Sequence, residues 1–123
     1  MAKKILIVED DNFISEMYAN KFGESGFEIS VAKDGQEALD KAKEIIPDLI
    51  LLDIVLPKKD GFEVLKDLKK ENVLKNTKIV FLTNLGEGED LNKGLRSEAD
   101  AYLIKAHSTP SQIVAKIEEI LKD

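Results

Sequence analysis

Glu9, Asp10, Asp53, Thr83 and Lys105 have one thing in common: each stands where a short apolar run stops. Lys4-Ile5-Leu6-Ile7-Val8 runs into Glu9-Asp10-Asp11, and Asp53 interrupts the run Leu49-Ile50-Leu51-Leu52-Asp53-Ile54-Val55-Leu56, bounded by Asp48 and Pro57, as it is about to stop. Lys78-Ile79-Val80-Phe81-Leu82 ends at Thr83, and Ala101-Tyr102-Leu103-Ile104 at Lys105. A charge so near a core persists only when it is paired or metal-bound. Two carboxylates about 4 Å apart repel by about 4 kcal/mol at an effective dielectric of about 20. Glu9, Asp10 and Asp53 brought to neighbouring strand ends therefore demand a cation. Mg²⁺ suits them, because it takes few carboxylates and keeps water and phosphate oxygens as its other ligands. Lys105 adds a positive charge and Thr83 a hydrogen-bond donor. Such a set matches the needs of a planar PO₃ group in transit, since phosphoryl transfer is catalysed mainly by positioning and charge neutralisation. Asp53 is then the nucleophile, and an acyl phosphate the product.

The elements that must position these groups alternate in type. The apolar runs are continuous, as in strands covered on both faces, except Glu28-Ile29-Ser30-Val31-Ala32, whose alternation suits a half-exposed edge strand. Between them lie helical patterns. Asp11 or Asn12 caps a first helix carrying Phe13, Ile14, Met17, Tyr18 and Phe22 at helical spacing, closed by Gly23 or Gly26. Asp34 caps a second helix with Glu37 three residues on, which lines up Ala38, Leu39, Ala42, Ile45 and Ile46 until Pro47. Asp60 caps a third that presents Phe62, Val64, Leu65 and Leu68. Residues 84–97 form the weakest helical pattern, with Gly86, Gly88 and Gly94 against it. Thr109-Pro110-Ser111-Gln112 opens the last helix with proline at its first position and glutamine in the capping-box place. Five strands alternating with five helices imply a parallel sheet with right-handed crossovers and helices on both faces. In such sheets ligands sit beyond the carboxyl ends of the strands.

Bulk properties exclude several function classes. With 123 residues, 43% hydrophobic and 34% charged, the chain reads as one soluble domain over residues 1–123. It has no cysteine, which removes disulfides and thiolate metal sites and fits a reducing cytosol. No run approaches the roughly 20 apolar residues of a membrane span, and Met1-Ala2-Lys3-Lys4 shows no signal-peptide cleavage pattern, so a cytoplasmic location is expected. The net charge of −6 argues against direct nucleic-acid binding and for a protein partner or a metal.

Glu9-Asp10 after the first strand, Asp53 followed by Pro57 and Asp60-Gly61, then Thr83 and Lys105, resemble the receiver domain of two-component response regulators, the chemotaxis-regulator fold. The likeness spans essentially the whole chain. It implies a doubly wound α/β fold of the flavodoxin-like (βα)₅ type with strand order 2-1-3-4-5. It also implies that Asp53 accepts phosphate from a sensor histidine kinase or phosphotransfer protein. Glu9, Asp10, Asp53 and the backbone carbonyl of Val55 would hold Mg²⁺, while Thr83 and Tyr102 act as switch residues and Lys105 pairs with the phosphoryl group. The surface of residues 84–122 would then control a downstream protein or an output domain. Such a protein is no enzyme beyond its own phosphorylation and slow dephosphorylation.

Three departures from the family pattern stand out. Ala106 replaces the usual proline after the lysine, where a cis bond would cost about 3 kcal/mol, so a trans Lys105–Ala106 peptide is expected. Asn84 is bulkier than the usual neighbour of the threonine. Val55 and Leu85 are apolar and orient no attacking water, which implies a long-lived phosphorylated state. A haloacid dehalogenase-type phosphatase would need an acid at Val55. A flavodoxin-like FMN binder would need a hydroxyl- and glycine-rich loop where Glu9-Asp10-Asp11 stands. A degenerate receiver that binds partners without phosphorylation remains an alternative, and so do a stand-alone regulator and a portion of a longer one. His107 reads as a surface residue.

Overall fold

The computed structural model describes residues 2–84, 92–93 and 96–122. Five strands, β1 (Lys4–Val8), β2 (Glu28–Ala32), β3 (Leu49–Leu52), β4 (Lys78–Thr83) and β5 (Ala101–Ile104), form one sheet in the order β2-β1-β3-β4-β5. Every pairing is parallel. Four helices are described: α1 (Asn12–Glu24), α2 (Gly35–Ile45), α3 (Gly61–Lys69) and α4 (Pro110–Leu121). Most of the further helix expected over 84–97 lies outside the described residues.

Alternation along the strands divides the core in two. Leu6, Val8, Ile50, Leu52, Ile79 and Phe81 point to the face covered by α2 and α3. Ile5, Ile7, Leu49, Leu51, Val80 and Leu82 point to the face covered by α1 and α4. Both sides of β1, β3 and β4 are thus buried, which is why their sequences are unbroken Leu, Ile, Val and Phe. The edge strand β2 keeps its intermediate exposure, as its alternation predicts.

The helix starts follow the expected side chains. Asp11, Asp34 and Asp60 accept the backbone N–H groups of Ile14, Glu37 and Glu63. Thr109 and Gln112 close a full capping box with Pro110 inside it. Two apolar expectations need correction. Phe13 is 79% exposed and Met17 also faces out, because the buried line of α1 is Ser15, Tyr18 and Phe22. Phe13 lies two residues, some 200°, from Ser15 around a helix of about 3.6 residues per turn. Ile46 leaves the α2 stripe altogether: it is the left-handed C-cap at φ 46° and is half exposed.

Candidate phosphoacceptor site

Parallel register places the two key acids side by side. Val8 pairs with Leu52, so the next residues, Glu9 and Asp53, leave adjacent strands together. The Glu9 N–H donates to Ala32 O at 3.0 Å, and the Asp53 N–H to Val8 O at 3.2 Å. This is where the strand order reverses, with β2 on one side of β1 and β3 on the other. Thr83 pairs with Ile104, one residue before Lys105, on the far side of β3.

The side chains then converge. Lys105 Nζ donates to Asp53 Oδ2 at 2.9 Å and to Glu9 Oε1. The side chains of Lys105, Glu9 and Asp53 are 11%, 6% and 11% exposed, so this ion triad is largely withdrawn from water. The remaining carboxylate oxygens are held by backbone: Glu9 Oε2 accepts from Asp11 N at 3.1 Å, and Asp53 Oδ1 from Val55 N at 3.3 Å. Burial pushes the Glu9 carboxyl above its ordinary range, with Lys105 pulling it back and Asp53 adding to the rise. For Lys105 burial acts downward, yet hydrogen bonds and charge from Glu9 and Asp53 outweigh it, and the ammonium is held above its usual value. Tyr18, buried on α1, feels the same centre: burial raises its phenol, while Lys105 and Glu9 act in opposite directions.

Thr83 is fully buried at the end of β4. Tyr102 lies half-buried opposite Phe81, its ring 5.9 Å from the phenylalanine ring. Asp10 is exposed beside the triad. The Lys105–Ala106 peptide is not cis, in line with the expectation from Ala106. Leu85 lies outside the described residues.

The loop after Asp53 is shaped by Gly61 and by Lys58 and Lys59. Gly61 N donates to Ile54 O at 2.8 Å, and a Cβ on Gly61 would stand 2.4 Å from Asp53 O and 2.7 Å from Ile54 Cα. Only glycine lets α3 begin against the backbone of the acid. Before it, Lys59 N donates to Pro57 O at 2.8 Å around Lys58, whose φ is 72°. That is a γ-turn with a non-glycine residue at its strained centre. Lys58 Nζ reaches Asp34 at 3.6 Å, and Lys59 reaches Asp67, so the turn is pinned to α2 and α3. Ile54 tucks into the core while Val55 is 61% exposed.

The donor set suits a hard divalent cation. Every candidate ligand is an oxygen, and Glu9 and Asp53 already share one cationic group, the Lys105 ammonium. Among the described residues no three acids form a ready cage. Mg²⁺ does not ask for one, since it usually binds through one or two carboxylates and keeps several waters.

Comparison with known proteins agrees with this geometry. Residues 5–118 match the family described as response regulator receiver domain. The chain is 39% identical over 122 residues to the phosphate regulon transcriptional regulatory protein PhoB of Escherichia coli, covering 99% of this chain and 53% of that protein. It is 40% identical, also over 122 residues, to the alkaline phosphatase synthesis transcriptional regulatory protein PhoP of Bacillus subtilis, covering 99% of this chain and 50% of that protein. The chain thus spans about half the length of these curated relatives. Among solved structures, the BeF₃-activated N-terminal receiver domain of Klebsiella pneumoniae RstA superposes with a TM-score of 0.88 at 31% identity, covering 98% of this chain and 99% of that one. A response regulator from Chloroflexus aurantiacus gives 0.89 at 30% identity, covering 98% of both chains. Sheet order, strand-end acids and sequence match all lead to one family, and this chain belongs to it: it is a response regulator receiver domain of two-component signalling.

Proposed function

We propose that Asp53 is the phosphoacceptor of a phosphorelay and that a histidine kinase or phosphotransfer protein is its donor. The observation that carries this reading is the Glu9–Lys105–Asp53 triad at the strand-order reversal. An Asp53 carboxylate oxygen attacks phosphorus, the bond from phosphorus to the donor imidazole breaks, and the imidazole leaves carrying the electron pair and takes up a proton. Lys105, already hydrogen-bonded to Asp53, follows the negative charge onto the phosphoryl oxygens. Thr83, at the end of the neighbouring strand, supplies a hydroxyl donor. Glu9, Asp10, Asp53 and the Val55 backbone carbonyl would hold Mg²⁺, whose charge offsets that of the incoming phosphoryl group.

The new acyl phosphate changes the partners of Lys105 and Thr83. Tyr102 then adjusts against Phe81, and the surface of residues 84–122 presents a different face to a partner protein or an output domain. Val55, exposed and apolar, has no side-chain group to orient an attacking water, which favours a long-lived phosphorylated state. Val55→Asn combined with Leu85→Glu is expected to hasten phosphate loss, and unchanged decay would refute that part of the reading.

Intact-mass measurement after treatment with acetyl phosphate tests the central claim. The wild type should gain one phosphoryl group with Mg²⁺ and none without it, and Asp53→Asn should gain none. A folded wild type that stays unmodified would leave only a phosphorylation-independent interaction module.

A further inference from the structure

A second charged region lies away from the triad, and its sign is opposite. A concave groove of about 610 Å³ lies between α3 and the described residues Lys93, Arg96, Ser97 and Glu98. Lys66 and Lys69 of α3 and its C-cap Lys70 line it together with Lys93, Arg96 and Phe62. At spacings of three and four residues the α3 lysines share one helix face. Glu98 is the only carboxylate among the described lining residues, so these carry a net +4 in a chain of net −6. All five cations are exposed. None forms an ion pair with a described carboxylate, although five other lysines of the chain do. Lys93 Nζ instead stands 4.4 Å from the centre of the Phe62 ring.

From this charge complementarity we infer that the α3 groove is a docking site for an acidic polypeptide segment carrying an apolar side chain. Like charges crowded in a groove repel, and carboxylates entering it relieve that repulsion. The lysine stems offer apolar surface beneath the charged heads, backed by the largely buried Phe62 ring, which suits one hydrophobic anchor flanked by Asp or Glu. A nucleic-acid backbone fits less well: it extends beyond the groove and would run over a surface whose remaining charge is strongly negative.

A short fluorescein-labelled peptide of glutamates around a single phenylalanine, followed by fluorescence anisotropy at low and physiological salt, tests the site. The expected result is saturable binding to the wild-type protein, weakened about ten-fold or more by the triple change Lys66→Glu, Lys69→Glu and Arg96→Glu. A control with the same charge change elsewhere, Lys3→Glu, Lys43→Glu and Lys122→Glu, should alter affinity by less than about two-fold. Exchanging the peptide phenylalanine for serine should weaken binding several-fold. Absence of saturable binding, equal weakening by the control triple, or tighter binding of an oligothymidylate of matched charge would each overturn the proposal. Should the groove triple fail to fold, the neutralising pair Lys66→Gln and Lys69→Gln, with chemical-shift mapping on the wild type, gives the same decision: shifts centred on α3, Lys93 and Arg96 support the site, and shifts centred elsewhere overturn it.

Discussion

The triad and the α3 groove use charge in opposite ways. Lys105 is 11% exposed and holds two carboxylates within hydrogen-bonding distance, whereas Lys66, Lys69 and Lys70 stand in solvent without ionic partners among the described residues. A buried charge set is fixed by its neighbours, interacts through a low dielectric and is nearly deaf to salt. Exposed cations contribute little to stability, but their field reaches outward and draws in partners. The same residue type therefore performs local chemistry at one site and long-range recognition at the other. Burial makes the difference.

The comparison is broken most severely by removing the buried cation. Lys105→Met leaves Glu9 and Asp53 facing each other without compensation, and should destabilise the fold by about 3 kcal/mol, or about 10 °C in Tm. Adding Glu9→Gln should recover a large part of that loss, because it removes one of the two orphaned carboxylates and with it their mutual repulsion. Lys66→Met in the groove should change stability by less than about 0.5 kcal/mol. Chemical denaturation of the four proteins measures all three claims, and similar losses for Lys105→Met and Lys66→Met would erase the distinction drawn between the two sites.

A steric change comes next. Gly61→Ala places a methyl group 2.4 Å from Asp53 O, so the backbone carrying the acid must move. The expected cost is about 2 kcal/mol, together with slower phosphorylation by acetyl phosphate. Gly23 makes the contrast, since a Cβ there meets nothing within 4 Å and its φ is not left-handed. Near the end of α1, Gly23→Ala should leave phosphorylation intact and stabilise by about 0.5 kcal/mol. A Gly61→Ala protein with wild-type stability and phosphorylation rate would show that the close approach is not needed.

What could be read from the sequence follows from how local each signal is. The triad was legible because Glu9, Asp53 and Lys105 each interrupt the end of an apolar run, and a parallel sheet aligns such ends. The caps Asp11, Asp34, Asp60 and Thr109 were legible for the same reason, as side chain and N–H are about three residues apart. The outward turn of Phe13 was not, because five apolar residues in α1 admit more than one buried stripe, and only packing against β1 and α4 selects Ser15, Tyr18 and Phe22. The left-handed Lys58 carries no glycine to mark it. The groove was invisible in principle: Lys66, Lys69 and Lys70 read as an ordinary solvated face until the fold brings Lys93 and Arg96 opposite.

The smallest expected effect belongs to a partly exposed charge with partners of its own. Asp34 caps α2 and faces Lys58. The Glu37 N–H holds its carboxyl below the ordinary value of 3.8, slight burial opposes this, and Lys58 adds to the lowering. With the folded value below the unfolded one, the unfolded chain binds more protons between the two, so stability rises with pH across that window. The contribution is complete above pH 3.8 and is lost as pH falls through the folded value. Asp34→Asn keeps a good helix cap but cannot titrate, so its Tm should fall less steeply than that of the wild type below pH 3.8 and should match the wild type's pH dependence above it. High salt should shrink the difference by screening Lys58 while leaving the share due to the Glu37 N–H. If the two proteins lose stability in parallel through that acid range, the cap carboxylate gains nothing from its charge.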